Sequence, residues 1–198
     1  MNILVLLGSP RSQGNSATIA AHLAEAATAL GAQVRTVELN GLSYRGCQAC
    51  YACKGKAERC VLQDDLTPVL AAVESADALV LATPVYFGDV TAQLKGFLDR
   101  SYGFLAPGYL AGGQKGRLSR KKLVFIQTQG NPDQAFFKEI FPRVNHFLEW
   151  MGFADGQIIR ACGLGPNRGE AIPESVLAEA EQTAQRLVEG WGLRPSFR

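Results

Sequence analysis

Residues 2–16 read NILVLLGSPRSQGNS, and this stretch decides the fold. The apolar run NILVLL, which ends at Gly8, is typical of a strand buried on both faces. The segment 16–30 that follows is rich in alanine and stops before Gly31, so it predicts a helix. A buried strand, a short polar loop and a helix together predict the first unit of a parallel sheet covered by helices.

The rest of the chain repeats this alternation. Further strands are predicted over 33–39, 78–86, 122–130 and 155–163, and further helices over 64–76, 89–102, 133–152 and 174–191. Pro142 falls inside the helix at 133–152 and is expected to kink it. The pattern predicts a single α/β domain over residues 1–198, with a five-stranded parallel sheet between two layers of helices. A cysteine-rich insertion at about 40–63 interrupts it.

Composition excludes two classes of partner. The 198 residues carry a formal net charge of +2, which gives no reason to expect nucleic-acid binding. Apolar runs are all shorter than a membrane span requires, so no membrane contact is expected. NILVLL is too short for a signal peptide and lacks a basic leader. We therefore expect a cytoplasmic protein, in which thiols stay reduced.

The loop GSPRSQGNS, residues 8–16, follows the first strand, where doubly wound sheets bind ligands. The N-terminus of the next helix offers free N–H groups to an anion. Asn15 stands where a Walker loop has its lysine, and the dinucleotide pattern G-x-G-x-x-G is absent, so a monophosphate is favoured. A capped turn without a ligand is the alternative. The polar side chains of this loop are Ser9, Arg11, Ser12, Asn15 and Ser16.

Two further loops follow buried strands at the same edge of the sheet. TPVYFGDV, residues 83–90, brings two aromatic side chains and Gly88, which lets the backbone approach a ligand closely. TQGN, residues 128–131, adds amide and backbone groups. The two loops would frame a planar heterocycle whose phosphate lies in the first loop, as in FMN. Read alone, Tyr86 and Phe87 are equally compatible with an ordinary core.

Four of the five cysteines form the pattern C-x2-C-x2-C-x6-C at Cys47, Cys50, Cys53 and Cys60. Structural zinc sites usually take two separated pairs of ligands, whereas consecutive C-x2-C spacing is typical of iron–sulfur clusters. We predict a [4Fe-4S] cluster with Cys60 as the fourth ligand; four reduced thiols are the alternative. The cations between the third and fourth cysteines, Lys54, Lys56 and Arg59, would offset the negative charge of the cluster. The fifth cysteine, Cys162, is expected in the core.

The segments GSPRSQGNS, TPVYFGDVTAQLKGFLDR and TQGN, in this order, resemble the NADPH-dependent FMN reductase family, which has a flavodoxin-like fold. GCQACYACKGKAERCVLQDDL is similar to the cysteine motif of the iron–sulfur flavoproteins within that family. The resemblance covers residues 1 to about 160. It implies a three-layer α/β/α sandwich with strand order 2-1-3-4-5, bound FMN, and a homodimer or homotetramer with the flavin near a subunit interface.

The resemblance also implies the contacts of the flavin. The phosphate would be held by Ser9, Arg11, Asn15 and Ser16. The ring would be surrounded by Pro84, Val85, Tyr86, Phe87, Gly88, Thr128, Gln129 and Gly130.

The resulting hypothesis is an FMN-dependent oxidoreductase. It would move electrons from NAD(P)H or ferredoxin to a quinone, a redox carrier or oxygen, through FMN and the cluster. Flavin chemistry needs few catalytic side chains, so no catalytic residue is predicted. One alternative is a cluster-free NAD(P)H-dependent FMN or quinone reductase. Another is a flavodoxin-like binding module whose cysteines sense redox state.

Overall fold

The computed structural model describes residues 1–55, 57–112, 115–165 and 171–190. Two of the sequence predictions lie outside these ranges. They concern Lys56, one of the cations of the cysteine spacer, and Trp191, the predicted last residue of the final helix.

Five strands form one parallel sheet in the order β2-β1-β3-β4-β5. The strands are β1 (Asn2–Leu7), β2 (Gln33–Glu38), β3 (Ala78–Pro84), β4 (Lys121–Thr128) and β5 (Phe153–Ala161). The predicted sheet order is confirmed. Strand β1 pairs with β2 on one side and with β3 on the other, and β3 pairs with β4. Because all these strands are parallel, the carboxyl ends of β1, β3 and β4 lie side by side at one edge of the sheet.

Helices cover both faces of this sheet. They are α1 (Asn15–Ala29), α2 (Thr67–Ser75), α3 (Ala92–Arg100), α4 (Ile140–Met151) and α5 (Glu174–Glu189). One hydrophobic cluster joins α1 and α5 to Ile3 and Val5 of β1. The other joins α2, α3 and α4 to Leu4 and Leu6. Alternate residues of β1 thus face opposite layers, which explains why all its residues from 3 to 7 are apolar and confirms the flavodoxin-like sandwich.

The largest departure from the predicted elements is in α4. A helix was expected from residue 133, but α4 begins at Ile140, and residues 134–139 form turns in which Phe137 has a φ of 61°. Pro142 is the third residue of α4. An N–H in the first turn has no partner within the helix, so a proline is tolerated there and does not interrupt the helix.

Smaller differences affect α2 and α3. Helix α2 starts at Thr67 rather than at 64, and α3 spans Ala92–Arg100 rather than 89–102. A 3-10 turn at Ser101–Phe104 continues α3. Within the described ranges, no helix has the length and apolar character needed to cross a membrane.

Candidate functional site

The first loop, residues 8–14, joins β1 to α1 and ends at Gly14, the N-cap of α1. Since Gly14 has no side chain to cap the helix, the first amides of α1 are left to an external acceptor. Ser9 and Ser16 are buried beside these amides, whereas Arg11 is exposed. The Ser9 hydroxyl accepts a hydrogen bond from the Arg11 amide at 3.0 Å. The loop therefore forms a polar cradle at a helix N-terminus, an arrangement that suits an anion such as a phosphate.

Close packing, rather than an unusual backbone angle, requires glycine at position 8. A Cβ atom there would lie 2.9 Å from Leu94 Cβ and 3.0 Å from Thr91 Oγ1. Thr91 is the N-cap of α3, and its hydroxyl donates to the Gly8 carbonyl at 2.6 Å. The same oxygen accepts from the Leu94 amide at 3.3 Å. One threonine thus fixes the first loop to the start of α3.

The second loop, residues 85–91, begins after Pro84 at the end of β3. Tyr86 and Asp89 exchange backbone hydrogen bonds of 2.9 and 3.1 Å, which close a tight turn. Phe87 and Gly88, its central residues, have φ values of 48° and 83°. This conformation favours glycine, and it turns Phe87 fully outward. Tyr86 is also exposed, so the alternative of ordinary core residues is wrong.

The third loop, residues 129–139, is joined to the second because the Val85 amide donates to the Thr128 carbonyl at 2.8 Å. Its shape depends on Gln129, which is buried. The Gln129 amide nitrogen donates to the carbonyls of Asn131 and Asp133, and its amide oxygen accepts from Arg160 Nη2 at 3.0 Å. Gln129 therefore holds the loop in shape, while the neighbouring Gly130 is exposed.

The cysteine segment, residues 45–64, lines a cavity of about 690 Å³. All four of its cysteines face this cavity, together with aromatic side chains from the 3-10 turn after α3 and from α4. Cys53 is buried, Cys60 is half-buried, and both Cys47 and Cys50 are exposed; none forms a disulfide. Ala49 and Tyr51 have φ values of 52° and 56°, so the chain winds tightly between the first three cysteines.

Two cations face the sulfur atoms of this segment. Arg100 Nε donates to Cys60 Sγ at 3.0 Å, and Lys54 lies beside Cys53. Lys54 Nζ donates to the carbonyls of Tyr102 and Leu105 at 2.7 and 2.6 Å. Burial lowers the pKa of Lys54, although the neighbouring Cys53 opposes this shift. The spacer lysine is thus fastened to the turn that follows α3.

Tyr102, in that same turn, also lines the cavity. A hydrogen bond to Tyr109 and burial raise the pKa of Tyr102 to about 12. Tyr102 therefore stays a neutral phenol throughout the physiological pH range, as does an ordinary tyrosine. The cavity wall beside the cysteines is aromatic and uncharged at this point.

The second loop contacts both of the other loops and lines the cysteine cavity. Asp89 and Val90 line the cysteine cavity, and Asp89 also forms an ion pair with Arg143 of α4 at 2.7 Å. The loop that carries Tyr86 and Phe87 is therefore part of the cavity wall. A group held by the three loops would lie next to the cysteine cavity.

Residues 1–138 match the NADPH-dependent FMN reductase family. The chain belongs to this family. This confirms the suspected family and the predicted enzyme class, an NAD(P)H-dependent oxidoreductase, and it supports FMN as the flavin. An iron–sulfur flavoprotein of Archaeoglobus fulgidus is 30% identical over 191 residues, which are 96% of this chain and 80% of that protein.

Further relatives are similar over shorter stretches. An FMN-dependent NADH:quinone oxidoreductase of Leptothrix cholodnii is 33% identical over 140 residues, 68% of this chain and 64% of that protein. For several other iron–sulfur flavoproteins the chain spans about half of their length. Among solved structures, an FMN-dependent NADH-azoreductase of Bacillus anthracis in complex with FMN has a TM-score of 0.74 at 16% identity. That alignment covers 95% of this chain and 100% of the azoreductase, and it supports the fold.

The four thiols fit an iron–sulfur cluster by their chemistry. They face one cavity, they are free of disulfides, and Cys60 already accepts a charge-assisted hydrogen bond. The distances between the thiols are longer than ligands of one metal ion require, since no three His, Cys, Asp or Glu side chains of the described ranges lie close enough to hold an ion. Binding a cluster would therefore require the segment to draw its thiols together.

The sequence interpretation missed Arg100. Leu94, Phe97 and Arg100 follow each other at intervals of three residues on the buried face of α3. A charged residue on such a stripe needs a buried partner, and that was the available signal.

The prediction for Cys162 was wrong. This cysteine was expected in the core but is partly exposed just beyond β5.

Proposed function

We propose that this protein is an electron-transferring flavoprotein that takes electrons from NAD(P)H or ferredoxin and passes them to a quinone, a redox carrier or oxygen. FMN would be held by the three loops and a [4Fe-4S] cluster by Cys47, Cys50, Cys53 and Cys60. When bound, FMN accepts a hydride and releases electrons singly, and the cluster carries one electron at a time. A cytoplasmic location is part of the proposal.

The three loops supply what FMN requires of the protein. The cradle at the start of α1 would hold the phosphate through Ser9, Asn15 and Ser16, with Arg11 adding positive charge. Pro84 to Gly88 and Thr128 to Gly130 would border the ring. Since the second and third loops are joined by the hydrogen bond from Val85 to Thr128, the two borders keep a fixed separation.

One observation carries the electron-transfer proposal: the second loop forms part of the wall of the cavity that all four cysteines line. Asp89 and Val90 belong both to the loop beside the proposed flavin and to the cavity. This arrangement favours exchange of electrons between the two groups within one chain. Cysteines with a purely structural role would not need to lie close to the flavin.

Purification without oxygen tests the proposal directly. The visible spectrum and the amounts of iron, sulfide and FMN per chain would be measured. We expect one FMN and about four irons per chain, with a broad absorption shoulder near ~400 nm beside the flavin bands. FMN without iron or sulfide would refute the cluster, and absence of FMN would refute the function of all three loops.

A cluster-free NAD(P)H-dependent FMN or quinone reductase is the second candidate. It is favoured by the wide spacing of the thiols in the described part of the chain and by the similarity to the Leptothrix NADH:quinone oxidoreductase. It predicts fast NAD(P)H oxidation with a quinone by protein that lacks iron. Slow turnover with quinone together with rapid electron exchange with ferredoxin would favour the iron–sulfur flavoprotein.

The proposal includes a homodimer or homotetramer with the flavin near a subunit interface. Phe87 is fully exposed, and Tyr86 and Phe136 are 42% and 51% exposed beside the same loops. Aromatic side chains of this kind are enriched in protein interfaces. Light scattering should give the mass of two or four chains, and replacing Phe87 by Ser should weaken the assembly. A monomeric mass at micromolar concentration would contradict it.

A further inference from the structure

The Arg100 side chain is fully buried at the end of α3 and makes five hydrogen bonds. Nε donates to Cys60 Sγ at 3.0 Å. Nη1 donates to the Arg45 carbonyl at 2.9 Å and to Asp64 Oδ2 at 2.7 Å. Nη2 donates to the Leu62 carbonyl and to Asp64 Oδ1, both at 3.4 Å. The planar guanidinium can serve these acceptors together because its donors are fixed in a fork.

These bonds join the two ends of the cysteine segment. Arg45 lies two residues before Cys47, and Leu62 lies two residues after Cys60. Among the residues that the structure describes between these two positions, the regular structure is limited to a 3-10 turn at Ala52–Lys54. Arg100 therefore closes this loop at its base, in a position from which it also reaches the thiol of the last cysteine.

The cysteine sulfurs have unequal surroundings. Cys47 Sγ accepts from the backbone amide of Ala49 at 3.4 Å, which is a bond of ordinary length from a neutral donor to sulfur. Lys54, beside Cys53, directs hydrogen bonds to two carbonyls. Cys60 instead receives a short bond from a buried guanidinium. Charge-assisted hydrogen bonds are about twice as strong as neutral ones. The sulfur of Cys60 is therefore more strongly stabilised than the sulfur of Cys47.

We propose that Arg100 is a positioning residue for the iron–sulfur cluster: it closes the cysteine segment around the cluster and raises its reduction potential through the hydrogen bond to Cys60. This inference rests on the cluster of the proposed function. Reduction adds negative charge to the cluster and its thiolates. A cationic N–H donor at one sulfur stabilises that charge, and hydrogen bonds to the sulfurs are among the factors that set cluster potentials.

Asp64 provides a control of opposite sign. Its carboxylate accepts two bonds from Arg100 and offsets the guanidinium charge. Replacing Arg100 by Gln removes a positive charge and the bond to Cys60, so the cluster potential should become more negative. Replacing Asp64 by Asn leaves Arg100 uncompensated beside the sulfur, so the potential should become more positive. A merely structural role of the Arg100–Asp64 pair predicts loss of stability in both variants and no such opposite shifts.

The experiment is an anaerobic redox titration of wild type, Arg100→Gln and Asp64→Asn, with the cluster followed by electron paramagnetic resonance and iron measured per chain. We expect the two opposite shifts, and less iron retained by Arg100→Gln. Arg100→Lys, which keeps the charge but cannot make all five bonds, should give a smaller negative shift and serves if Arg100→Gln does not fold. Unchanged potentials, or shifts of the same sign, would overturn the inference. Absence of iron from the wild type would instead refute the proposed function.

Discussion

The first loop and the cysteine segment are stabilised in different ways. The first loop, residues 8–14, joins a strand to a helix, and its geometry follows from those two elements and from Thr91. The cysteine segment, residues 45–64, lies between a 3-10 turn at Leu39–Gly41 and α2, and it is held by a distant side chain, Arg100, and by Lys54. Regular elements therefore shape the first loop, whereas buried cations shape the cysteine segment.

The largest effect is expected from removing a thiol. Cys53 is the buried member of the set, so Cys53→Ala should reduce iron from about four atoms per chain to less than one, because a four-iron cluster depends on all its ligands. FMN content should stay unchanged, since the proposed flavin contacts lie in the other three loops and include no cysteine. Iron and flavin analysis after anaerobic purification checks both. Cys162→Ala is the matched control and should keep both cofactors; equal iron in the two variants would contradict the ligand assignment.

A smaller but substantial effect is expected at Asp64. Burial raises the pKa of Asp64, but the hydrogen bonds from Arg100 and from the Arg45 amide outweigh it and hold the pKa below its ordinary value. Asp64→Asn breaks the buried pair and should reduce the free energy of unfolding by about 3 kcal/mol at neutral pH. Urea denaturation measures this directly. The same change at an exposed pair, Asp99→Asn beside Lys95, should cost less than about 1 kcal/mol.

The pH dependence of stability provides a second test of the same pair. Since the folded pKa of Asp64 is depressed, its contribution is complete above the unfolded-state pKa of about 3.9 and is lost as the pH falls through the lower folded pKa. The unfolding free energy of the wild type should therefore decrease below about pH 4 more steeply than that of Asp64→Asn. Parallel curves for the two proteins would show that Asp64 is not stabilised by Arg100.

At Gly8 the expected effect is smaller and confined to the first loop. The added Cβ of Gly8→Ala would lie 2.9 Å from Leu94 Cβ, so either α3 or the loop must shift, which should cost about 2 kcal/mol. FMN content should fall while iron stays at the wild-type amount. Gly41→Ala is the control, because a Cβ at Gly41 meets nothing within 4 Å. Loss of iron from Gly8→Ala would show that the two regions are coupled more closely than the structure indicates.

The sequence sufficed for what depends on local periodicity. The apolar run Asn2–Leu7 predicted a doubly buried strand, and alternating strands and helices predicted the sandwich. It did not suffice where distant groups meet. The turns at 134–139 replaced the expected start of α4, because Gln129 and Arg160 hold the third loop through contacts that no local pattern indicates. The bond from Arg100 to Cys60, 40 residues apart, was missed for the same reason.

The smallest expected effect, at Thr91, tests whether the first loop really depends on α3. Thr91→Val keeps the volume of the buried side chain but removes the helix cap at Leu94 and the donor to the Gly8 carbonyl. Loss of a cap costs about 1 kcal/mol, and urea denaturation should show a decrease of this size. Thr91→Ser keeps the hydroxyl and should recover most of it. If Thr91→Val keeps the wild-type stability while Thr91→Ser loses it, the methyl group and not the hydroxyl anchors the loop, and the first loop would depend on packing alone.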